Sequence, residues 1–371
     1  MNFFSGRVYR LNYRNRKSKH KKLVSNTIKS ANWEDVQDNI RKKVLVKYPK
    51  VKISRKSKVT SVSKRVKFYA PTSINYYSKK EFEITNKFII DIRDCALKGY
   101  KVFIDFSRTK KISAAAMLSF LAEVDVLIKK SQHGTHTISF SHPKEEKIES
   151  ILVQVGFYDL LKKNKRETKS YDDVTFWKYT SGICSEPLLA KEMIVEIKKE
   201  LEKVATRKLY RGFIEAMSNS VEHAYLDDNE HSEEEKTAKW WTFAGIKDNQ
   251  LTIVICDKGV GIPATLPRTQ GVSTLKSLLF KIGVKSIHNV KDSAYIKAST
   301  SLFETRTGER NRGKGLNDIK SVIDSIGEGF MGIFSNNGRY IYKGETGKLK
   351  EVLMDHKSSV NGTIIEWVIP C

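Results

Sequence analysis

The chain has 371 residues, 67 Lys and Arg against 42 Asp and Glu, and a formal net charge of +25. Its 40% hydrophobic and 10% aromatic content supplies real cores and excludes wholesale disorder, and the length suits roughly two or three domains. The four cysteines (Cys95, Cys184, Cys256, Cys371) are scattered and form no CxxC pair, which argues against a disulfide framework or a zinc site.

Residues 1–70 hold 21 Lys and Arg but only three acids, Glu34, Asp35 and Asp38. That segment therefore carries +18 and leaves +7 for the other 301 residues. Its densest runs are RNRKSKHKK at 14–22 and KVKISRKSKV at 50–59. Such an arm suits a polyanion, whether nucleic acid, an anionic membrane surface or an acidic protein; a solubilising tail is the plainer reading. Within it, Trp33–Val46 has helical spacing, and Val44, Val46, Val51 and Ile53 suggest a short strand pair. No apolar h-region follows Met1, and runs such as Leu251–Cys256 are far too short to span a bilayer. The expectation is a cytoplasmic chain without a transmembrane segment.

Residues 71–170 alternate strand and helix, which predicts a small α/β layer. Phe82–Leu97 has apolar residues at helical spacing, Lys101–Phe106 reads as a strand, and Ala114–Lys130 as an amphipathic helix. Thr137–Phe140 is expected to be a strand and Glu145–Leu161 a helix. The three histidines of HGTHTISFSH at 133–142 read as loop residues flanking that strand.

Residues 171–187 read as a connector. Helical patterns follow over Leu188–Val204 and Arg207–Tyr225, then the acidic run DDNEHSEEE at 227–235. Lys239–Ile246 and Leu251–Cys256 form a predicted hairpin with an Asp248-Asn249 turn. Residues 258–312 are glycine-spaced and loop-rich, with one helix suggested over Ser273–Ile282. Gly315–Ile326 reads as a helix. The end alternates as strands Phe330–Ser335, Arg339–Lys343 and Gly362–Pro370, with an Asn337-Gly338 turn. Helices against a mixed, largely antiparallel sheet make 188–371 an α+β region.

Four places in this region carry candidate chemistry. Glu215, Asn219 and His223 are spaced by four, so they share one helical face. An Asn amide suits a hydrated divalent cation, and a carboxylate can take a proton from water or a hydroxyl. The plainer reading is a polar outer face. Next, Asp257 ends a strand and is followed by Gly259 and Gly261. A strand-end acid can accept from an exocyclic amine, and the glycines would let the backbone approach a flat ring. Third, TRTGERNRGKGLNDI places Gly308, Gly313 and Gly315 in a basic loop that ends at a helix start. Backbone N–H groups there, with Arg306, Arg310, Arg312 and Lys314, suit phosphate. Last, Thr363 opens the final strand, and its hydroxyl would lie within reach of a buried acid or a base ring.

In order and spacing these pieces resemble the GHKL, or Bergerat-fold, ATPases, over about residues 188–370. That family includes histidine kinases, anti-sigma-factor kinases, gyrase-type topoisomerases, Hsp90 and MutL. Glu215, Asn219 and His223 match its N-box, with the ending EHAY most like the anti-sigma-factor kinases. Asp257, Gly259 and Gly261 match the adenine-contacting box, the glycines at 308, 313 and 315 the lid end, and Thr363 the threonine near the adenine-binding acid. The resemblance implies Mg²⁺ on Asn219, Glu215 as general base, Asp257 reading adenine, ATP phosphates held by Arg312, Gly313, Lys314 and Gly315, and a lid over 262–312. His223 would join the nucleotide-binding set.

Residues 81–165 resemble a STAS domain, carried by KVFIDFSRTKKISAAAML at 101–118. In that family the helix start bears Asp-Ser-Ser-Gly with a phosphorylated serine; here it reads Ser113-Ala114-Ala115-Ala116, leaving Ser107 and Ser113 as the nearby hydroxyls. The organisation expected is a basic arm (1–70), a STAS-like α/β domain (71–170), a connector (171–187) and a GHKL ATP-binding α/β sandwich with a mixed sheet (188–371). The function expected is a Mg-ATP-dependent switch with ATPase activity, a protein partner on the STAS-like domain and a polyanion on the arm. Two alternatives are a serine/threonine kinase of the anti-sigma type and a nucleic-acid-binding module with a non-catalytic nucleotide site.

Overall fold

The structure is a computed structural model that describes residues 65–171, 174–176, 179–184, 195, 203–225, 239–301, 315–345 and 348–370. The expected arm elements at 33–53, the helix expected over Leu188–Val204 apart from residues 195, 203 and 204, and the acidic run at 227–235 lie outside the described residues. Those described belong to one compact unit, Arg65–Cys371, of mixed α/β architecture.

Three parallel strands open the unit, β1 (Val66–Tyr69), β3 (Val102–Asp105) and β5 (Ile138–Ser141), in the order β1-β3-β5. A two-residue pair, β2 (Ser73–Ile74) with β4 (Lys111–Ile112), lies beside them. The helices are α1 (Lys79–Leu97), α2 (Ala114–Lys130), α3 (Glu146–Gln154) and α4 (Phe157–Leu160). The Ser78 side chain caps α1 by accepting from the Glu81 N–H. The single helix expected over 145–161 is broken at Gly156, whose φ of +86° ends the α3 turn. Strand β1 lies within the segment read as a basic arm, so the arm boundary moves from 70 to the start of this strand.

The second sheet runs β12-β11-β10-β13-β9-β8-β6, with β7 also on β8. Its strands are β6 (Val174–Phe176), β7 (Thr180–Gly182), β8 (Trp240–Lys247), β9 (Gln250–Cys256), β10 (Gly329–Ser335), β11 (Gly338–Glu345), β12 (Lys348–Asp355) and β13 (Thr363–Pro370). Every pairing among these strands is antiparallel, so the expected mixed sheet is corrected. The expected connector contributes two of the strands. Asp248 and Asn249 both have positive φ, +52° and +57°, as a two-residue hairpin turn requires. In the β10–β11 hairpin the turn residues are Asn336 and Asn337, because Ser335 pairs with Gly338. The region 258–312 is more helical than expected, with α6 (Ile262–Thr269), α7 (Val272–Lys281) and α8 (Asp292–Thr300) around a small core of Leu266, Leu278, Leu279 and Ala298. Residues 302–314 lie outside the described residues.

Two more helices, α5 (Lys203–Glu222) and α9 (Gly315–Ile326), pack together on one face of the large sheet. Side chains of alternate residues face opposite ways from a strand. Trp240, Ile253, Ile255, Ile333, Ile365 and Trp367 join Phe213 and Met217 of α5 and Ile323 of α9 in one core. Trp241, Phe243, Val254, Cys256, Phe334 and Ile364 face the other way and join the core of the N-terminal layer. Helix α2 fills that second interface. Its buried residues run from Ala115 to Asp125 without a break, so the expected amphipathic helix is enclosed on nearly all sides.

Candidate functional site

The strand-end acid is the best-defined feature. Asp257 follows β9 and is buried. The register pairing Cys256 with Ile364 and Ser335 with Thr363 sets Asp257, Thr363 and Ser335 in a row across three strand ends, β9, β13 and β10. Pleat alternation turns that row toward the α5–α9 face. The Asp257 N–H donates to the Thr363 carbonyl at 2.9 Å. Its Oδ1 accepts from the N–H of Gly259 at 2.9 Å and of Thr363 at 3.1 Å. Neither donor reaches Oδ2. Burial pushes the carboxyl up to about 6, against the lowering pull of the Gly259 and Thr363 bonds and of the Lys258 charge.

The Thr363 hydroxyl reaches the acid as expected, its side-chain bond helping to hold the carboxyl down. Thr363 Oγ1 lies 2.9 Å from Ser335 Oγ, and Ser335 Oγ in turn accepts from the Ile262 N–H at 2.8 Å. Thr363 thus meets the acid through both its backbone N–H and its hydroxyl.

Each of the two glycines is packed against the protein itself. A Cβ on Gly259 would lie 2.1 Å from the Ala224 carbonyl oxygen, so the space is filled by the chain just past the end of α5. Gly261 has φ of +80° and would press a Cβ within 2.8 Å of the Asn336 side chain, whose Nδ2 donates to the Val260 carbonyl at 2.9 Å.

That packing locks the acid loop to the helix bearing the other candidates. The Val260 N–H donates to the Ala224 carbonyl at 2.8 Å, and the Lys258 N–H to the Tyr225 hydroxyl at 3.0 Å. One to three turns back along the same helix are Asn219 and Glu215, both half-buried. His223 sits one residue past the end of α5 and is exposed; its N–H still donates to the Asn219 carbonyl at 3.0 Å. The carboxylate–amide pair and the strand-end acid are thus held by one rigid junction. Arg312, Gly313 and Lys314 lie outside the described residues, while Gly315 is the first residue of α9, beside α5.

Residue-level reading missed Ser335, Asn336, Ala224, Tyr225 and Gly362. Gly362 has φ of +125° and a Cβ there would sit 2.2 Å from the Asp257 carbonyl. The glycine before a strand was its only signal in the sequence. Among the described residues no group of three or more His, Cys, Asp or Glu is arranged to hold a metal, and no helix is long and apolar enough to cross a membrane. The donor set that suits a hydrated cation is the Asn219 amide with the Glu215 carboxylate beside it.

No protein-family model matches the chain, and no curated protein matches it.

Proposed function

We propose that residues 188–370 are a Mg-ATP-binding domain of the GHKL type and that the chain works as a nucleotide-dependent switch. The observation that carries this reading is Asp257: a buried strand-end carboxylate whose Oδ1 is taken by two backbone donors while Oδ2 takes neither. An acceptor fixed in that way suits the exocyclic amine of adenine. Asn219 would hold the cation, with His223 at the same helix end. Arg312, Gly313, Lys314 and Gly315 would contact phosphate oxygens by charge and backbone N–H groups. Bound Mg²⁺ would supply charge neutralisation for the phosphates. Glu215 would take the proton of the attacking water. The parallel layer 65–170, read as STAS-like, would carry the signal on the other face of the sheet.

The test is Glu215→Ala in the full chain with ATP labelled at the γ-phosphate. ATP binding is expected to persist, with phosphate release reduced about 10²- to 10⁴-fold. Turnover that survives the substitution would remove Glu215 from the base role. Label retained on the protein would shift the reading to a protein kinase.

A further inference from the structure

Lys258 stands between the acid and the first glycine of the loop, and the sheet separates its two ends. Its backbone N–H belongs to the candidate site, bonded to Tyr225. Its side chain follows the pleat to the opposite face. There the Nζ donates to Ser119 Oγ of α2 at 2.9 Å and to the Val360 carbonyl at 3.3 Å, and lies 3.7 Å from Glu123 of α2. The Lys258 side chain is 8% exposed and that of Glu123 5%. Glu123 is shared with Arg93 of α1, also at 3.7 Å, and Ser119 Oγ also accepts from the Tyr76 hydroxyl at 3.3 Å.

Buried ion pairs contribute little net stability, because desolvation offsets the attraction. A lysine enclosed this way is better understood by what it fixes. Its neighbour Cys256 faces the same layer, with Sγ 4.0 Å from the Leu118 carbonyl, whereas Asp257 faces α5 and α9. The main chain at Lys258 can therefore shift only if the α2 contacts on one side or the Tyr225 bond on the other give way.

We propose that Lys258 is a positioning residue that clamps the Asp257–Gly261 loop to α2, so that events at the candidate site and in the N-terminal layer report on each other. The coupling to ATP rests on the function proposed above; the clamp itself does not. It predicts that the layer is a fixed back wall of the site.

The experiment is amide hydrogen exchange on the full chain, comparing wild type with Lys258→Met, Lys258→Arg and Ser119→Ala. Without nucleotide, Lys258→Met is expected to speed exchange in 257–261 about tenfold while the strands keep their protection. Lys258→Arg should restore most of it, and Ser119→Ala, which removes one of the lysine's partners together with the Tyr76 bond, should give a smaller acceleration in the same peptide. Should Lys258→Met fail to fold, Ser119→Ala carries the test. Unchanged loop exchange in the variants that fold overturns the proposal. With Mg²⁺ and ATP added, wild type should gain protection in Ala114–Lys130, and Lys258→Met should lose that gain while binding ATP about five- to tenfold more weakly. A wild type that binds no ATP refutes the proposed function and leaves the clamp to be judged by the nucleotide-free exchange. An ATP response in α2 that is undiminished in Lys258→Met overturns the coupling.

Discussion

Replacing Asp257 with Asn separates what the acid does for binding from what it costs the fold. Burial raises its carboxyl from 3.8 to about 6, so the folded chain holds the proton more tightly than the unfolded chain. The stability from this group is therefore fully present below pH 3.8 and is lost as the pH rises through about 6. A shift of about two units corresponds to at most about 3 kcal/mol. Asn keeps an oxygen for the Gly259 and Thr363 N–H groups without carrying charge. Asp257→Asn is therefore expected to be more stable than wild type at pH 8, by up to about 3 kcal/mol, and no more stable at pH 4. Urea unfolding of the full chain at both pH values measures this. ATP affinity should move the other way, falling about tenfold or more, because the amide brings donors where the carboxylate offered only acceptors. Wild-type affinity should itself weaken as the pH drops through about 6. A variant that is less stable at pH 8, or whose gain does not depend on pH, would refute the view that burial dominates at this carboxylate.

Glu366 is fully buried on the other face of the sheet, accepts from the Tyr77 hydroxyl at 2.8 Å, and is pushed up to about 7 by burial. Its stabilising contribution is lost as the pH rises through about 7, so Glu366→Gln should raise the melting temperature at pH 8 and leave it unchanged near pH 4. Gly259→Ala forces a Cβ to within 2.1 Å of the Ala224 carbonyl oxygen, a backbone contact that cannot yield cheaply. It should cost about 2–3 kcal/mol or more in urea unfolding and also abolish ATP binding. Removing residues 1–64, which leaves β1 intact, should abolish any nucleic-acid binding that is steeply salt-dependent and spare ATP binding; polyanion binding that survives at low salt would place it elsewhere. A deletion to residue 70 would also remove β1 from the three-stranded sheet and should destabilise the layer, as a thermal melt would show.

Local pattern was enough for elements whose partners are near in sequence. The apolar spacing of Ala114–Lys130 and Gly315–Ile326 fixed both helices residue for residue. Asp248-Asn249 fixed the β8–β9 hairpin, because those residues tolerate positive φ and the turn sets the register. The shared helical face of Glu215 and Asn219 and the strand-end place of Asp257 follow from local period, but the junction between them rests on the tertiary contact of Val260 with Ala224. Tertiary structure decided the rest. Strand β12 was not expected, because its first six residues are exposed on both faces and its identity depends on pairing with β11. Strand β1 hid in a basic segment because what orders it is β3, more than thirty residues away. The enclosure of α2 needed two sheets to meet over it, and nothing in the sequence marks Lys258, whose buried partners Ser119 and Glu123 come from that helix. The charge surplus of residues 1–70 was likewise plain in the sequence, but where the arm ends was set by the strand that Val66–Tyr69 forms. Composition and period are local properties, whereas burial and pairing depend on what the folded chain brings alongside.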